Sequence, residues 1–342
     1  MCEVARLATL REMLGASTRV ASTCSARARF VAHRVAVILP ASRCPALRRC
    51  RSVVAMAEKQ ERGHQPPAGS AAPEVAPEVM MLRQHQSNIV RMSFPEECRT
   101  LLRTSRYGVL STLSHSSDSQ GFPMGSIVGF ADDMATGAPV FSFSTMSGHT
   151  QDLIADGRAS LTVTAPGFEG AADARVCVTG TVERVPVDTQ EWATVKGRYL
   201  TVHPDAFWAT FGDFSFWKMS KVISIRFVGG FARAGNIPPK LFAEAQPDPV
   251  AAHCGPHIAF ANAHGDRAMC AVIRHQVGAD VGVVAAKAMS ADKHGLILSA
   301  VRSSGEQFKM RLAFPGGPVK TPQQVYESIV HMFALAQEGA SK

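Results

Sequence analysis

The sequence lacks several features that would place it in a familiar class at once. None of its apolar runs reaches 18 residues, so no membrane-spanning helix is expected. Only 19% of the 342 residues are charged while 46% are apolar, which excludes wholesale disorder and allows one large or two medium domains. Motifs typical of serine hydrolases, P-loop proteins, dinucleotide-binding proteins and zinc proteases are absent.

Cysteine pairs at short spacing are also absent. Beyond residue 55 the chain has four cysteines, and no two of them form a CxxC motif. They are Cys98, Cys177, Cys254 and Cys270. Neither a zinc site nor a disulfide framework is therefore expected, and reduced, mostly buried thiols are the default.

Lysine is missing from the first 55 residues, and acidic side chains are almost missing there. This segment carries ten arginines against Glu3 and Glu12, which accounts for the whole net charge of +8. The remaining 287 residues carry 26 basic and 26 acidic side chains. A neutral body argues against a general polyanion-binding surface, so no nucleic-acid partner is predicted.

The composition of residues 1–55, rich in Ala, Arg and Ser, predicts an organellar transit peptide. A secretory signal would need one central apolar stretch, and the longest apolar piece, from Val35 to Leu39, is too short for that. Cleavage is expected near Ala55, after Val53 and Val54. The alternative is a disordered basic tail that stays attached.

The next segments predict a linker and a β-rich domain. Residues 56–88 are rich in Pro and Ala, which is typical of a flexible linker. A helix is predicted over residues 95–104, followed by six segments rich in Val, Ile, Phe and Thr. Two predicted helices interrupt these strands, and Asp188 is the predicted N-cap of the second. Residues 89–236 therefore predict a closed antiparallel barrel.

A second domain is predicted after a proline-rich connector. Residues 247–342 contain a helical segment, three strand-like runs and a terminal helix. The predicted fold class is mainly β with α (α+β), a split β-barrel followed by a small α-β-β-β-α C-terminal domain.

Two segments carry candidate binding residues. In FSTMSGHTQDLIADGRASL a strand leads into a helix, and Ser147, His149 and Thr150 lie at the helix start, where backbone N–H groups attract anions. HPDAFWATFGDFSFWKM places His203 beside a run of aromatic residues suited to a flat ligand. The alternatives are a helix-capping or hydrogen-bonded role for His149 and a core role for the aromatic run.

These segments also carry a family resemblance. The chain resembles the FMN-binding split-barrel family, which has the pyridoxamine 5′-phosphate oxidase-like fold. The segments that carry the resemblance are RYGVLSTLS, GFPMGSIVGFADD, FSTMSGHTQDLIADGRASL and YLTVHPDAFWATFGDFSFWKM. The resemblance is closest to its haem-utilisation branch, the HugZ-type haem-degrading proteins and their plastid homologues. The C-terminal segments DKHGLIL and FKMRLAFP resemble the small domain that accompanies these barrels.

The resemblance implies a homodimer that binds haem near its interface, located in the chloroplast stroma, with the mitochondrion as the alternative. Flavin-using members have Ser-Arg-Lys where this chain has Ser147, Gly148 and His149. Without the two cations that hold the FMN phosphate, FMN is disfavoured as the cofactor and haem is favoured. His149 is the first candidate ligand of the haem iron.

Three further residues take their roles from the resemblance. His203 and Arg198 are expected to contact haem or its propionates. Related C-terminal domains carry a His-Met-Asn-x-Asp-His stretch, and the matching residues here, 260–265, have lost the first histidine. His264 is the nearest substitute and the second candidate for the haem iron.

The function predicted from the sequence is that of a plastid haem-binding protein acting in haem degradation or tetrapyrrole homeostasis. Whether it is an enzyme stays open, since ring cleavage needs a reductant and an open iron position, and the sequence identifies neither. One alternative is a non-enzymatic adaptor that binds a tetrapyrrole-pathway enzyme, similar to the plastid relative that binds glutamyl-tRNA reductase. Another is an FMN-dependent oxidoreductase.

Overall fold

The computed structural model describes residues 76–230 and 233–340. The predicted transit peptide, residues 1–55, lies outside the described residues, as does most of the predicted linker. The described end of that linker is a helix, α1, from Pro77 to Asn88. Within the described part of the chain, no helix is both long enough and apolar enough to cross a membrane.

Six antiparallel strands close into a barrel, which confirms the predicted split-barrel, α+β fold. The strands are β1 (Tyr107–Leu113), β2 (Pro123–Asp132), β3 (Pro139–Ser144), β4 (Arg158–Thr164), β5 (Arg175–Arg184), β6 (Phe214–Val228) and an added β7 (Ala234–Ile237). They are ordered β3-β2-β1-β4-β5-β6-β7, and pairing of β3 with β6 closes the ring. β7 extends the sheet beside β6. Closure leaves few free edges.

The barrel interior is filled by alternate residues of its strands. Phe130, Phe141, Leu161, Val178 and Ile225 are fully buried there. Because side chains of a strand alternate between its two faces, these positions share one core while their neighbours face outward. Burying an aliphatic or aromatic side chain of this kind contributes about 1.5–3 kcal/mol.

Three helices pack around the barrel: α2 (Phe94–Thr104), α3 (Gly148–Ala155) and α4 (Gln190–Val202). A capping box opens α2, in which the Ser93 backbone N–H donates to Glu96 Oε2 at 3.0 Å. At the start of α4 the N-cap is Thr189, whose Oγ1 accepts from the Trp192 N–H at 3.1 Å. The prediction of Asp188 was wrong by one residue, because Asp188 has a left-handed backbone with φ 64°.

The C-terminal domain packs helices on a three-stranded antiparallel sheet of order β10-β9-β8. Between the barrel and this domain lies α5 (Pro239–Glu244), whose Phe242 is buried in the barrel core. The elements of the C-terminal domain are α6 (Gly255–Ala263), α7 (Gly265–Val277), β8 (Val283–Asp292), β9 (Gly295–Arg302), β10 (Gln307–Ala313) and α8 (Pro322–Ala340). The single helix predicted before β8 is two helices. The chain breaks between them at His264 and Gly265, where φ is +77°.

Helix α1 belongs to the C-terminal domain although it precedes the barrel. Leu82 is buried in that domain's core, and the Gln86 amide donates to the Arg311 carbonyl and accepts from the Arg311 N–H, both at 2.9 Å. Only one α1 residue is buried, so apolar periodicity could not reveal the helix. The predicted linker therefore ends in an element held by distant contacts.

Polar contacts fix the C-terminal domain to α2. Thr100 Oγ1 accepts from the Asp248 N–H at 2.8 Å, and the Asp248 carboxylate accepts from the Lys293 N–H at 2.9 Å. The Lys293 ammonium lies 2.8 Å from the Glu96 carboxylate. The second domain is thus anchored on the α2 side of the barrel.

Candidate ligand-binding cleft

An open cleft of about 230 Å³ lies among β2, β3, the start of α3, the end of α4 and the turn at Phe207–Thr210. Three of the sequence-predicted residues, Ser147, His149 and His203, line it together. They come from segments that are more than 50 residues apart in the chain. The closed barrel brings them together because β3, which leads into α3, pairs with β6, which follows α4.

His149 is the second residue of α3 and presents an unengaged imidazole to the cleft. Its ring lies edge-on to Phe143, with centroids 4.6 Å apart, and makes no hydrogen bond within the described residues. Burial lowers the pKa of His149, and the nearby Asp152 carboxylate opposes this shift only partly. The side chain is therefore neutral at pH 7, with a lone pair available to a ligand.

His203 is buried at the C-cap of α4 and is held by its neighbours. Its Nε2–H donates to the Phe130 carbonyl at 2.9 Å. The ring stacks on Tyr199, with centroids 4.6 Å apart, and meets the Tyr107 ring edge-on at 5.6 Å. Burial lowers the pKa of His203 despite the Phe130 hydrogen bond. With Nε2 engaged, His203 forms part of the cleft wall.

Sequence reasoning missed Arg106 and Tyr199, which also line the cleft. The Arg106 guanidinium is exposed and has no hydrogen bond or ion pair within the described residues. Tyr199 is 4% exposed, and its hydroxyl makes no hydrogen bond to any described residue either. Burial, and the nearby Tyr107, raise the pKa of Tyr199 to about 12. The available signal was spacing, since Tyr199 precedes His203 by four residues and therefore shares its helix face.

Two small residues complete this wall. Ser142 on β3 is buried, and its Oγ has no hydrogen-bond partner among the described residues. Gly129 on β2 leaves room for the tyrosine, because a Cβ at this position would lie 2.9 Å from the Tyr199 hydroxyl. The wall therefore contains polar atoms without hydrogen-bond partners among the described residues.

Arg198 does not line the cleft. Its Nη2 lies 2.5 Å from Asp132 Oδ1, and its Nε donates to the Asp132 carbonyl at 2.9 Å. Arg103 binds the other carboxylate oxygen of Asp132 at 2.7 Å. Asp132 is 1% exposed, so both guanidinium groups balance a buried charge. The expected contact of Arg198 with haem receives no support from this geometry.

Thr150 and His264 also lie apart from the cleft. Thr150 is fully buried with an unpartnered hydroxyl, and it lines a second cavity of about 360 Å³ among α3, β5 and β6. His264 lies at the break between α6 and α7. Its ring stacks on Phe333, with centroids 4.1 Å apart, and its Nδ1 is 3.0 Å from the Phe260 carbonyl. The structure does not bring His264 near His149.

The aromatic run after α4 divides between core and cleft. Phe216 and Trp217 are buried in the core, whereas Trp208 and Phe214 line the cleft. Phe207 is 71% exposed in the adjoining turn. The run therefore supplies both core residues and cleft-lining residues.

The chemistry of the lining fits an iron porphyrin better than FMN. A neutral imidazole is a suitable iron ligand, and aromatic rings suit a flat macrocycle. Among the described residues that line the cleft, Arg106 is the one Lys or Arg. The positions that hold the phosphate in flavin-using relatives are Gly148 and His149 here, and neither is a Lys or Arg. The cleft is smaller than the about 300–1,000 Å³ typical of ligand sites, so one chain encloses only part of a haem.

The fold and the cleft define a split-barrel protein with a histidine-bearing ligand site. A family model described as CREG, beta-barrel, matches residues 91–244. The non-canonical heme oxygenase HOZ, chloroplastic, of Arabidopsis thaliana is 33% identical over 239 residues, which cover 69% of this chain and 71% of that protein. The chain belongs to the pyridoxamine 5′-phosphate oxidase-like split-barrel family, in its haem-utilisation branch.

One solved structure has a comparable arrangement over most of its length. A heme binding protein from Mycobacterium smegmatis is 29% identical and superposes with a TM-score of 0.53. The match covers 73% of this chain and all of the mycobacterial chain. The shared region therefore extends beyond the barrel into the C-terminal domain.

Proposed function

We propose that this protein binds haem in the cleft and that His149 is the ligand of the haem iron. The observation that carries the proposal is the state of His149, a neutral imidazole with no hydrogen bond within the described residues, in a cleft lined by aromatic rings. The similarity to the Arabidopsis heme oxygenase and to the mycobacterial heme binding protein supports haem as the ligand. His264 is retained as the second candidate ligand because its Nε2 is not engaged within the described residues.

The barrel face beside the cleft supports a homodimer. Tyr107 and Ile127 line the cleft and are 64% and 81% exposed, and Val109, the cross-strand neighbour of Ile127, is 42% exposed. A patch of this kind on a barrel face marks an interaction site. A second copy placed on it would cover apolar side chains and enlarge a cleft that is too small for haem.

The decisive experiment is a haemin titration of the protein without its leader. The wild type is expected to give a sharp Soret band at one haem per chain or per interface. His149→Ala should weaken binding at least tenfold and change the band, because the iron loses its protein ligand. His115→Ala is a matched control, since His115 is an exposed barrel histidine outside the cleft. Absence of a Soret shift in the wild type would refute haem binding.

Haem degradation is a second candidate function, favoured by the 33% identity to the Arabidopsis non-canonical heme oxygenase. Bound haem would supply the iron that activates oxygen, and the protein would contribute the ligand His149 and shelter from water. The test adds ascorbate or ferredoxin with oxygen and follows the Soret band. Decay with release of an open-chain tetrapyrrole supports catalysis, whereas a stable band limits the role to binding.

A regulatory partner is the remaining alternative, since an adaptor would use a surface instead of the cleft. Binding of a tetrapyrrole-pathway enzyme such as glutamyl-tRNA reductase predicts co-purification from plastid extract that His149→Ala does not change.

A plastid location is proposed from the arginine-rich leader and from the chloroplastic relative. Import of the full chain into isolated chloroplasts, with shortening by about 55 residues, is the test of that location.

A further inference from the structure

Two groups in the cleft wall, the Tyr199 hydroxyl and Ser142 Oγ, have hydrogen-bonding capacity that the described residues leave unused. Both belong to side chains that are more than nine-tenths buried. Ser142 Oγ is inaccessible and has no hydrogen-bond partner among the described residues, and the Tyr199 hydroxyl faces the cleft without a hydrogen bond to any described residue. Buried polar groups in proteins are nearly always hydrogen-bonded. An unpartnered pair at the wall of an open cleft therefore indicates that the polar atoms of a ligand complete it.

The chemistry of Arg106 and Tyr199 restricts which polar group of a ligand can bind beside them. Tyr199 keeps its proton at neutral pH because its pKa is raised to about 12, so its hydroxyl is a donor. Arg106 is positively charged and offers paired N–H donors, and it forms no ion pair within the described residues, although the exposed Asp205 also lines the cleft. A phenol donor and a free guanidinium in one cleft favour a carboxylate over a neutral or cationic group.

The position of Tyr199 is firmly defined. Its ring stacks on His203, which the Phe130 carbonyl holds through Nε2. Gly129 lies directly under the hydroxyl and leaves space that any larger residue would fill. Packing therefore fixes the direction of the hydroxyl, which receives no hydrogen bond from any described residue.

We propose that Arg106 and Tyr199 form a carboxylate-binding subsite that takes a propionate of the tetrapyrrole, with Ser142 as an additional hydrogen-bonding partner. This inference rests on the proposed function, since it assigns the carboxylate end of the same ligand whose iron His149 binds. The cleft then selects tetrapyrroles with free propionates and binds esterified ones poorly.

The test compares haemin with haemin dimethyl ester, in which both propionates are neutral. The wild type is expected to bind haemin about ten- to a hundredfold more tightly than the ester, as a charge-assisted contact predicts. Arg106→Gln and Tyr199→Phe should each weaken haemin binding while leaving ester binding unchanged. Arg106→Lys should recover part of the preference. Since Arg106 is exposed, its variants are expected to fold normally.

Matched controls use groups of the same chemistry outside the cleft. Arg83→Gln removes an exposed guanidinium from α1, and Tyr326→Phe removes a hydroxyl from α8. Neither should change the preference for haemin. Equal affinity of the wild type for both ligands, or equal losses of both ligands in Arg106→Gln, would overturn the subsite but leave haem binding intact. Failure of the wild type to bind either ligand would overturn both proposals.

Discussion

At the scale of single residues, the environment of an imidazole decides its role. His149 and His203 both line the cleft, and burial lowers the pKa of each. His203 donates from Nε2 to the Phe130 carbonyl and packs between two tyrosines, whereas the ring of His149 has no hydrogen bond within the described residues. The first is therefore suited to shaping the wall and the second to binding iron.

The lowered pKa of His149 predicts how haem binding depends on pH. A proton competes with iron for the same lone pair, and the folded-state pKa lies below the ordinary 6.5. Haemin affinity should therefore be flat above pH 6.5 and fall as the pH drops through the folded-state pKa, by up to about tenfold per pH unit. Spectroscopic titrations between pH 5 and 8 measure this. His149→Ala should bind haemin weakly, with no fall in affinity at low pH. The same fall in this variant would contradict the proposal that His149 is the iron ligand.

At the scale of elements, buried arginines hold the irregular parts of the fold in place. Arg99 on α2 is fully buried, and its Nη1 donates to the Phe242, Ala243 and Ala245 carbonyls at the end of α5, at 2.9–3.2 Å. A helix C-terminus leaves its last carbonyls without partners inside the helix. One guanidinium therefore terminates α5 and ties it to α2.

Arg99→Met is expected to lower the free energy of unfolding by about 3 kcal/mol, because the α5 carbonyls lose their donor in a buried setting. Urea unfolding followed by circular dichroism measures the change. The comparison is Arg158→Met, which removes an exposed ion pair with Asp156 and should lower the free energy of unfolding far less, because solvent screens this pair. Similar losses in the two variants would show that Arg99 is not an important anchor. Haemin binding by folded Arg99→Met should be retained.

The elements also differ in how well the sequence predicts them. The barrel strands were predictable since the Val-, Ile-, Phe- and Thr-rich segments between turns follow the two-residue period of a pleated sheet. Helix α1 was not predictable, because it contributes a single buried residue, Leu82, to a core built mainly from residues about 200 positions away. The break between α6 and α7 was missed as well, since Gly265 interrupts an otherwise continuous helical pattern.

At the scale of the whole molecule, the proposed dimer links oligomeric state to ligand binding. Ile127 projects from β2 at the cleft and is 81% exposed, which no core requirement of the single chain explains. A charge at the centre of an apolar interface is costly to bury. Dimer formation and full enclosure of haem should therefore depend on the same residue.

Ile127→Asp is expected to make the chain monomeric and to weaken haemin binding at least tenfold, although His149 is unchanged. Light scattering coupled to gel filtration gives the mass, and the Soret titration gives the affinity. Val187→Asp, which changes a residue 55% exposed between β5 and α4, should alter neither. A dimeric Ile127→Asp variant with normal haemin affinity would show that this face is not the interface.

The amino-acid sequence by itself determined the class of the protein and three of its cleft residues, Ser147, His149 and His203. Strand periodicity, turn residues and the Ser147-Gly148-His149 departure from the flavin pattern are local features, readable without coordinates. Tertiary structure alone decided the rest of the cleft. Arg106, Ser142 and Tyr199 meet only because β1, β3 and α4 are brought together by barrel closure. Tertiary structure also places Arg198 outside the cleft, because folding buries the Asp132 carboxylate and Arg198 forms an ion pair with it.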